Sequence, residues 1–353
     1  MTKRIIKLIE NAKLSHNEGV LICKPVNRLY YASFTGTAGY IYADRKKTYF
    51  LADSRYTEQA KKQCSDFEIV EISKERTIYD FLKSRAPERL FVEENYITMA
   101  MHDKLKKSLE NAAIIGLDAI VAKQRIIKEP SEIEKISRAA RIADKAFSHI
   151  IEFINQGLTE KEIALELEFY MLRSGADSIS FETIVASGIR SSMPHGAPTD
   201  KIVEKGEFIT MDFGCMVEGY CSDMTRTVHL GPATEEEKSV YSIVLKAQEE
   251  ALKFIKEGLA AVSVDKIARG IIMENGYGEY FGHGLGHGVG LEIHEEPFLS
   301  SLGNKMLMSG MVVTDEPGIY IPGKFGVRIE DLVVVREKGC DVLSNSPKKL
   351  IEI

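Results

Sequence analysis

The chain has no tryptophan, only five cysteines in 353 residues, no block of like charge and no long apolar run. Each absence excludes something. Cys23, Cys64, Cys215, Cys221 and Cys340 are odd in number, widely spaced and without a C-x-x-C pair. Neither a disulfide framework nor a zinc knuckle is therefore indicated, and a reducing cytoplasm is the expected compartment. The net charge of −6, with Lys and Arg scattered, gives no electrostatic reason to seek nucleic acid. The leading "MTKRIIKLIENAKLSHNEG" interrupts its apolar residues with charges at helical spacing, unlike a signal peptide. No stretch approaches the roughly 20 apolar residues of a membrane-spanning helix. What remains is a globular protein whose partner is a small neutral or zwitterionic molecule.

A hydrophobic content of 44% over this length can fill the cores of two domains of ordinary size. "GVLICKP", "GYIYADRKKTYFLAD", "FEIVEI" and "RLFVEE" read as short strands, interleaved with the helical "DSRYTEQAKKQC" and "TMAMHDKLKKSLENA". Residues 1–121 are thus expected to form an α/β domain. Near Ala122 "AIVAKQRIIKEPSEIEK" changes into a charged helix, so residues 122–353 are taken as the second domain. Its helices are expected to open at Ser131, Thr159 and Thr234, each followed three residues later by Glu.

The second domain repeats itself. "FINQGLTEKEIA" and "FIKEGLAAVSVDKIA" each pause at a glycine, Gly157 and Gly258. Each half then supplies a His-containing loop, "SSMPHGAPTD" or "FGHGLGHGVGLEIHE", and enters a strand with the same frame. Gly206, Thr210, Asp212 and Gly214 match Gly310, Thr314, Glu316 and Gly318. A second acid follows in each half, Asp223 in "SDMTRT" and Glu330 in "VRIED".

One acid alone reads most simply as a surface charge. Four in matched halves beside histidine loops do not. A hairpin turning at Val217/Glu218 would set Asp212 directly opposite Asp223, where like charges repel unless a cation lies between them. With Glu316 and Glu330 brought in by the repeat, four carboxylates balance two divalent ions. Such a pair activates water and polarises a carbonyl. "HEEPF" at His294 is not H-E-x-x-H, because Phe298 stands in the second His position, so a zincin is excluded.

"MDFGCMVEGYCSDMTRT", "HGLGHGVGLEIHE", "TDEPGIY" and "GVRIED", in that order, resemble the pita-bread metallopeptidase family of aminopeptidase P, prolidase and the methionine aminopeptidases. The resemblance covers the whole second domain and implies an α+β pita-bread catalytic fold with an internal pseudo-two-fold repeat. "FTGTAG" and "DSRYTEQA" resemble the creatinase/prolidase-type leading domain of bacterial Xaa-Pro peptidases, and "SGIRSSMPHGAPTDK" their substrate-histidine loop.

Carried over by position, the metal ligands are Asp212, Asp223, His287, Glu316 and Glu330, with Asp223 and Glu330 bridging. The ions are expected to be manganese, with cobalt or zinc as substitutes. The resemblance further implies that Glu316 shuttles a proton to the leaving imino nitrogen, that His294 meets the scissile carbonyl, and that His195 and His283 lie on the proline side. Tyr320 and Arg328 orient ligands or substrate. Cys221 shares the strand parity of Asp223, with small apolar packing as its simpler role.

The leading expectation is an Xaa-Pro aminopeptidase acting on short proline-containing peptides. The alternative is an Xaa-Pro dipeptidase with the same metals. A non-catalytic binding protein that kept the fold, or a creatinase-like amidinohydrolase, is disfavoured by the intact ligand set. The resemblance also implies a homodimer.

Overall fold

The computed structural model describes residues 1–353, which separate into two compact units, Met1–Arg125 and Ile126–Ile353. The first unit is built on a six-stranded mixed sheet. Its order is Glu68–Glu71, Thr48–Ala52, Tyr40–Ala43, Glu18–Ile22, Arg89–Val92 and Ala113–Gly116. Glu18–Ile22 and Thr48–Ala52 are buried along their whole length, which is why they read as unbroken apolar runs rather than alternating ones. The edge strand Ala113–Gly116 and the helices Pro25–Ala32 and Ile78–Arg85 are additions to the sequence reading. All three are shorter than the roughly 11-residue window over which helical periodicity is read, and the strand is only four residues long.

The second unit shows the repeat directly. In the first half, helices Pro130–Phe153 and Glu160–Arg173 meet through Gly157, whose φ is 106°. In the second, Glu235–Phe254 and Ala261–Glu274 meet through Gly258, at φ 83°. Each helix pair is tied by one equivalent isolated bridge to the segment that leads into its strand, Thr159 to Ile202 and Ala260 to Met306. Gly206 and Gly310, at φ 88° and 89°, turn the chain into the strands Glu207–Phe213 and Val312–Asp315. Only a residue without Cβ occupies such a conformation at no steric cost.

Alternation along those strands decides which side chains become functional. Ile209, Met211 and Phe213 pack against Ala139, Ala143, Phe147 and Ile150 of the first long helix. Val313 and Val333 pack against Val240, Val244 and Ala247 of the other. Residues of opposite parity, including Thr210, Asp212 and Thr314, are turned to the other face, between the halves.

Two local expectations are corrected. Thr159 and Thr234 cap their helices with reciprocal bonds to Glu162 and Glu237, as expected. Ser131 does not: the cap is Glu129, in a box with Glu132, because Pro130 occupies the first helical position. Proline fits there, since its missing N–H is one the helix could not use. The hairpin is also displaced. It turns at Glu218–Gly219, both at positive φ (50° and 82°) as a two-residue hairpin loop prefers. Asp212 therefore pairs with Thr225, and Asp223 is its diagonal neighbour. The ladder breaks between them at Gly214, where a Cβ would collide with the Ser222 carbonyl.

Candidate metal centre

Asp212 stands on the middle strand of its sheet, flanked across the ladder by Ile184 on one side and Thr225 on the other. Asp223 follows in the interrupted stretch after Tyr220–Cys221, just before the strand Met224–Leu230. From the other half, Glu316 follows the strand Val312–Asp315, its N–H bonded to the Leu285 carbonyl at 2.8 Å. Glu330 precedes the strand Asp331–Val335, and its N–H reaches the Thr225 carbonyl at 3.1 Å, joining the two halves. His287 lies on the short strand Gly286–Gly288, opposite Phe298.

These side chains converge. Asp223, His287 and Glu330 each offer a ligand atom, all within 4.8 Å of one another. His287 Nε2 is 3.6 Å from Asp223 Oδ2 and 3.4 Å from Glu316 Oε1. Burial pushes the His287 imidazole down to about 4, so the ring is neutral at physiological pH. Its Nδ1 lies 3.1 Å from the Gly288 carbonyl and carries the hydrogen, which leaves a bare lone pair on Nε2 facing the carboxylates. Burial, and then the charge of neighbouring acids, raises Asp223 and Glu330 well above the usual carboxylate range. Burial also pushes Glu316 up to about 8, although the Arg328 guanidinium opposes this.

Asp212 Oδ2 accepts a 2.7 Å bond from Arg328, whereas its Oδ1 is buried with no partner. Four carboxylates, one imidazole lone pair and an orphaned oxygen are mutually repulsive as they stand. Cations resolve that conflict. An oxygen-rich set with a single nitrogen fits hard or borderline divalent ions rather than thiophilic ones.

Around this cluster lies a cavity of about 520 Å³. It is lined by all five expected ligands and by His195, His283, His294 and Arg328. Tyr320 stands behind it, its buried hydroxyl pushed up to about 12. That hydroxyl donates to His283 Nε2 at 2.9 Å and accepts from Arg328 at 2.8 Å. His283 is held down at about 4, chiefly by burial, and its Nδ1 faces the Gly284 carbonyl at 2.8 Å. Both of its nitrogens are therefore engaged within the protein. His294 is exposed, its ring edge-on to His287 at 4.4 Å. His195 is exposed on a loop beside Pro194, whose carbonyl accepts from Arg328 at 3.1 Å.

Cys221 is buried outside the cavity lining, its thiol pushed up to about 12 by burial. The sequence reading missed the hydroxyls. Thr314 donates to Glu316 Oε1 at 3.2 Å and accepts from the His287 N–H at 3.0 Å, so it links two expected ligands. Its signal was present, because Thr314 belongs to the repeated frame. Phe298 and Ile184 are among the further residues lining the cavity.

Residues 134–337 match the model of metallopeptidase family M24, and residues 3–127 that of the creatinase/prolidase N-terminal domain. The chain belongs to metallopeptidase family M24. This M24 peptidase superimposes on a solved Xaa-Pro dipeptidase from Bacillus anthracis with a TM-score of 0.95, at 43% identity over 99% of both chains. It also superimposes on an X-Pro aminopeptidase from Thermotoga maritima with a TM-score of 0.92, at 40% identity over 98% of this chain and 100% of that one. An Xaa-Pro dipeptidase of Pyrococcus furiosus is 41% identical over 99% of this chain and its own full length. The M24 peptidase accordingly has the pita-bread catalytic fold behind a creatinase-type leading domain, and it is a metal-dependent peptidase using divalent ions.

Proposed function

We propose that the protein is an Xaa-Pro dipeptidase, hydrolysing the bond before a carboxy-terminal proline. The observation that carries metal-dependent hydrolysis is the cage of Asp212, Asp223, Glu316 and Glu330 closed by the bare nitrogen of His287, which has no evident purpose without cations. Full-length relatives named Xaa-Pro dipeptidase favour the dipeptidase over the aminopeptidase placed first on sequence. Manganese is the expected ion, held by those five residues in a pair. When bound, such ions activate water and polarise the scissile carbonyl.

The chain's own groups do the rest. Glu316, at the edge of the ligand cluster and lining the cavity, takes the proton released by the attacking water and passes it to the imino nitrogen of the leaving proline. His294, exposed beside His287, meets the carbonyl oxygen. His195 contacts the proline end from its loop, and neutral His283 shapes that end with its ring while Tyr320 holds it. Proline has no amide hydrogen and a fixed φ, so a site that reads the ring rather than an extended backbone is required. A homodimer is part of the proposal, and light scattering tests it.

The deciding experiment offers manganese-loaded protein an Xaa-Pro dipeptide and the same sequence extended at its carboxy end. A dipeptidase gives the dipeptide a kcat/KM at least about tenfold higher, about 1.4 kcal/mol in transition-state stabilisation. Faster turnover of the longer peptide returns the assignment to the aminopeptidase. Hydrolysis of neither overturns the proline-directed reading.

A further inference from the structure

Thr225 is a wholly buried threonine, one strand away from Asp212 and directly opposite it. Its side-chain oxygen lies 2.6 Å from Glu330 Oε2 and 3.0 Å from Arg328 Nε. A guanidinium has donors only, so Arg328 must occupy a lone pair of that hydroxyl. The single hydroxyl hydrogen is then directed to Glu330 Oε2. The same Arg328 bonds Asp212 Oδ2 at 2.7 Å through its other arm. Thr225 also holds Glu330 by its main chain, through the 3.1 Å bond from the Glu330 N–H.

We infer that Thr225 is a positioning residue for the metal centre: its hydroxyl couples Asp212 to Glu330 through Arg328 and so sets the spacing of acids supplied by opposite halves of the repeat. This rests on the ligand set proposed above. Glu330, Thr225 and Arg328 are all almost fully buried, so no solvent replaces the hydroxyl if it is lost. Valine at this position fills nearly the same space. It leaves Glu330 Oε2 without its donor and Arg328 Nε without its acceptor, which frees the Glu330 carboxylate to turn while Arg328 stays tied to Asp212, Tyr320 and the Pro194 carbonyl. Serine keeps the hydroxyl and omits only a methyl group.

The test is calorimetric titration of the parent, Thr225→Val and Thr225→Ser proteins with manganese alone. Loss of an outer group that holds a ligand weakens metal affinity by about 10–100-fold, which is the effect expected for Thr225→Val, with Thr225→Ser staying within about threefold of the parent. A valine variant that binds manganese as tightly as the parent overturns the inference. So does a folded serine variant as weak as the valine one, since the hydroxyl would then not be the operative group. If the valine variant fails to fold, the serine variant decides: retained affinity supports the inference and a tenfold or greater loss contradicts it. A parent that takes up no manganese overturns the ligand set and this inference with it. Because the readout is metal affinity, the result is separate from the choice between dipeptide and longer substrates.

Discussion

Arg328 holds the site together through donors aimed in different directions: Asp212, Thr225, Tyr320 and the Pro194 carbonyl. A lysine keeps the charge but not the planar fork. Arg328→Lys is therefore expected to weaken manganese affinity and lower kcat/KM by about 10–100-fold, measured by titration and steady-state kinetics. A second residue-scale feature is Asp315, which is fully buried with both carboxylate oxygens unpartnered. Its neighbour Asp331 takes the available donors, Arg226, Gln248 and Lys348. Asp315→Val removes an unpaired buried polar group and places a β-branched residue in a strand, so urea denaturation should show a gain of about 1–3 kcal/mol.

The acids of the centre also predict how metal-free protein responds to pH. Glu316 is raised from an ordinary value of 4.5 to about 8, so the folded state binds more protons than the unfolded one between those values. Its contribution to stability is lost as pH rises through that window. His283 and His287, lowered from 6.5 to about 4, act in the opposite sense, but only below 6.5. Between pH 6.5 and 8 the Tm of chelated protein should fall and added manganese should restore it. A Tm that rises over that interval contradicts the assignment.

At the scale of elements, the helix caps separate what sequence pattern conveys from what it hides. Thr234→Ala should cost about 1 kcal/mol in urea denaturation, whereas Ser131→Ala should stay within about 0.5 kcal/mol. The motif at Ser131 resembled a cap, yet Pro130 had already claimed the first helical position and moved the cap to Glu129. The hairpin shows the same kind of slip. Its acids and their shared face were legible, but the centre of the turn was not. Symmetry about Asp212 and Asp223 suggested one pairing, and the positive φ at Glu218 and Gly219 selects another. Two short helices of the leading unit, Pro25–Ala32 and Ile78–Arg85, gave no usable period. Thr314 was legible only as a member of the repeated frame and Thr225 not at all, because a hydroxyl in a strand has no pattern that distinguishes structural from positioning roles.

For the molecule as a whole, the repeat was legible because glycine marks it at equivalent places, and it brought acids distant in sequence into one cluster before any contact was known. Of the eleven side chains singled out from sequence ten lie together: nine line one cavity and Tyr320 braces two of them, while Cys221 is buried outside the lining. The sequence reading placed the aminopeptidase first, whereas full-length relatives named Xaa-Pro dipeptidase favour the alternative, a choice the metal ligands alone do not make. The central claim is that this cage holds a pair of cations. Anomalous diffraction from manganese-loaded crystals tests it most directly. Two peaks enclosed by Asp212, Asp223, His287, Glu316 and Glu330 are the predicted result. An empty cage in crystals whose solution protein hydrolyses Xaa-Pro peptides, or manganese bound only elsewhere, would contradict it.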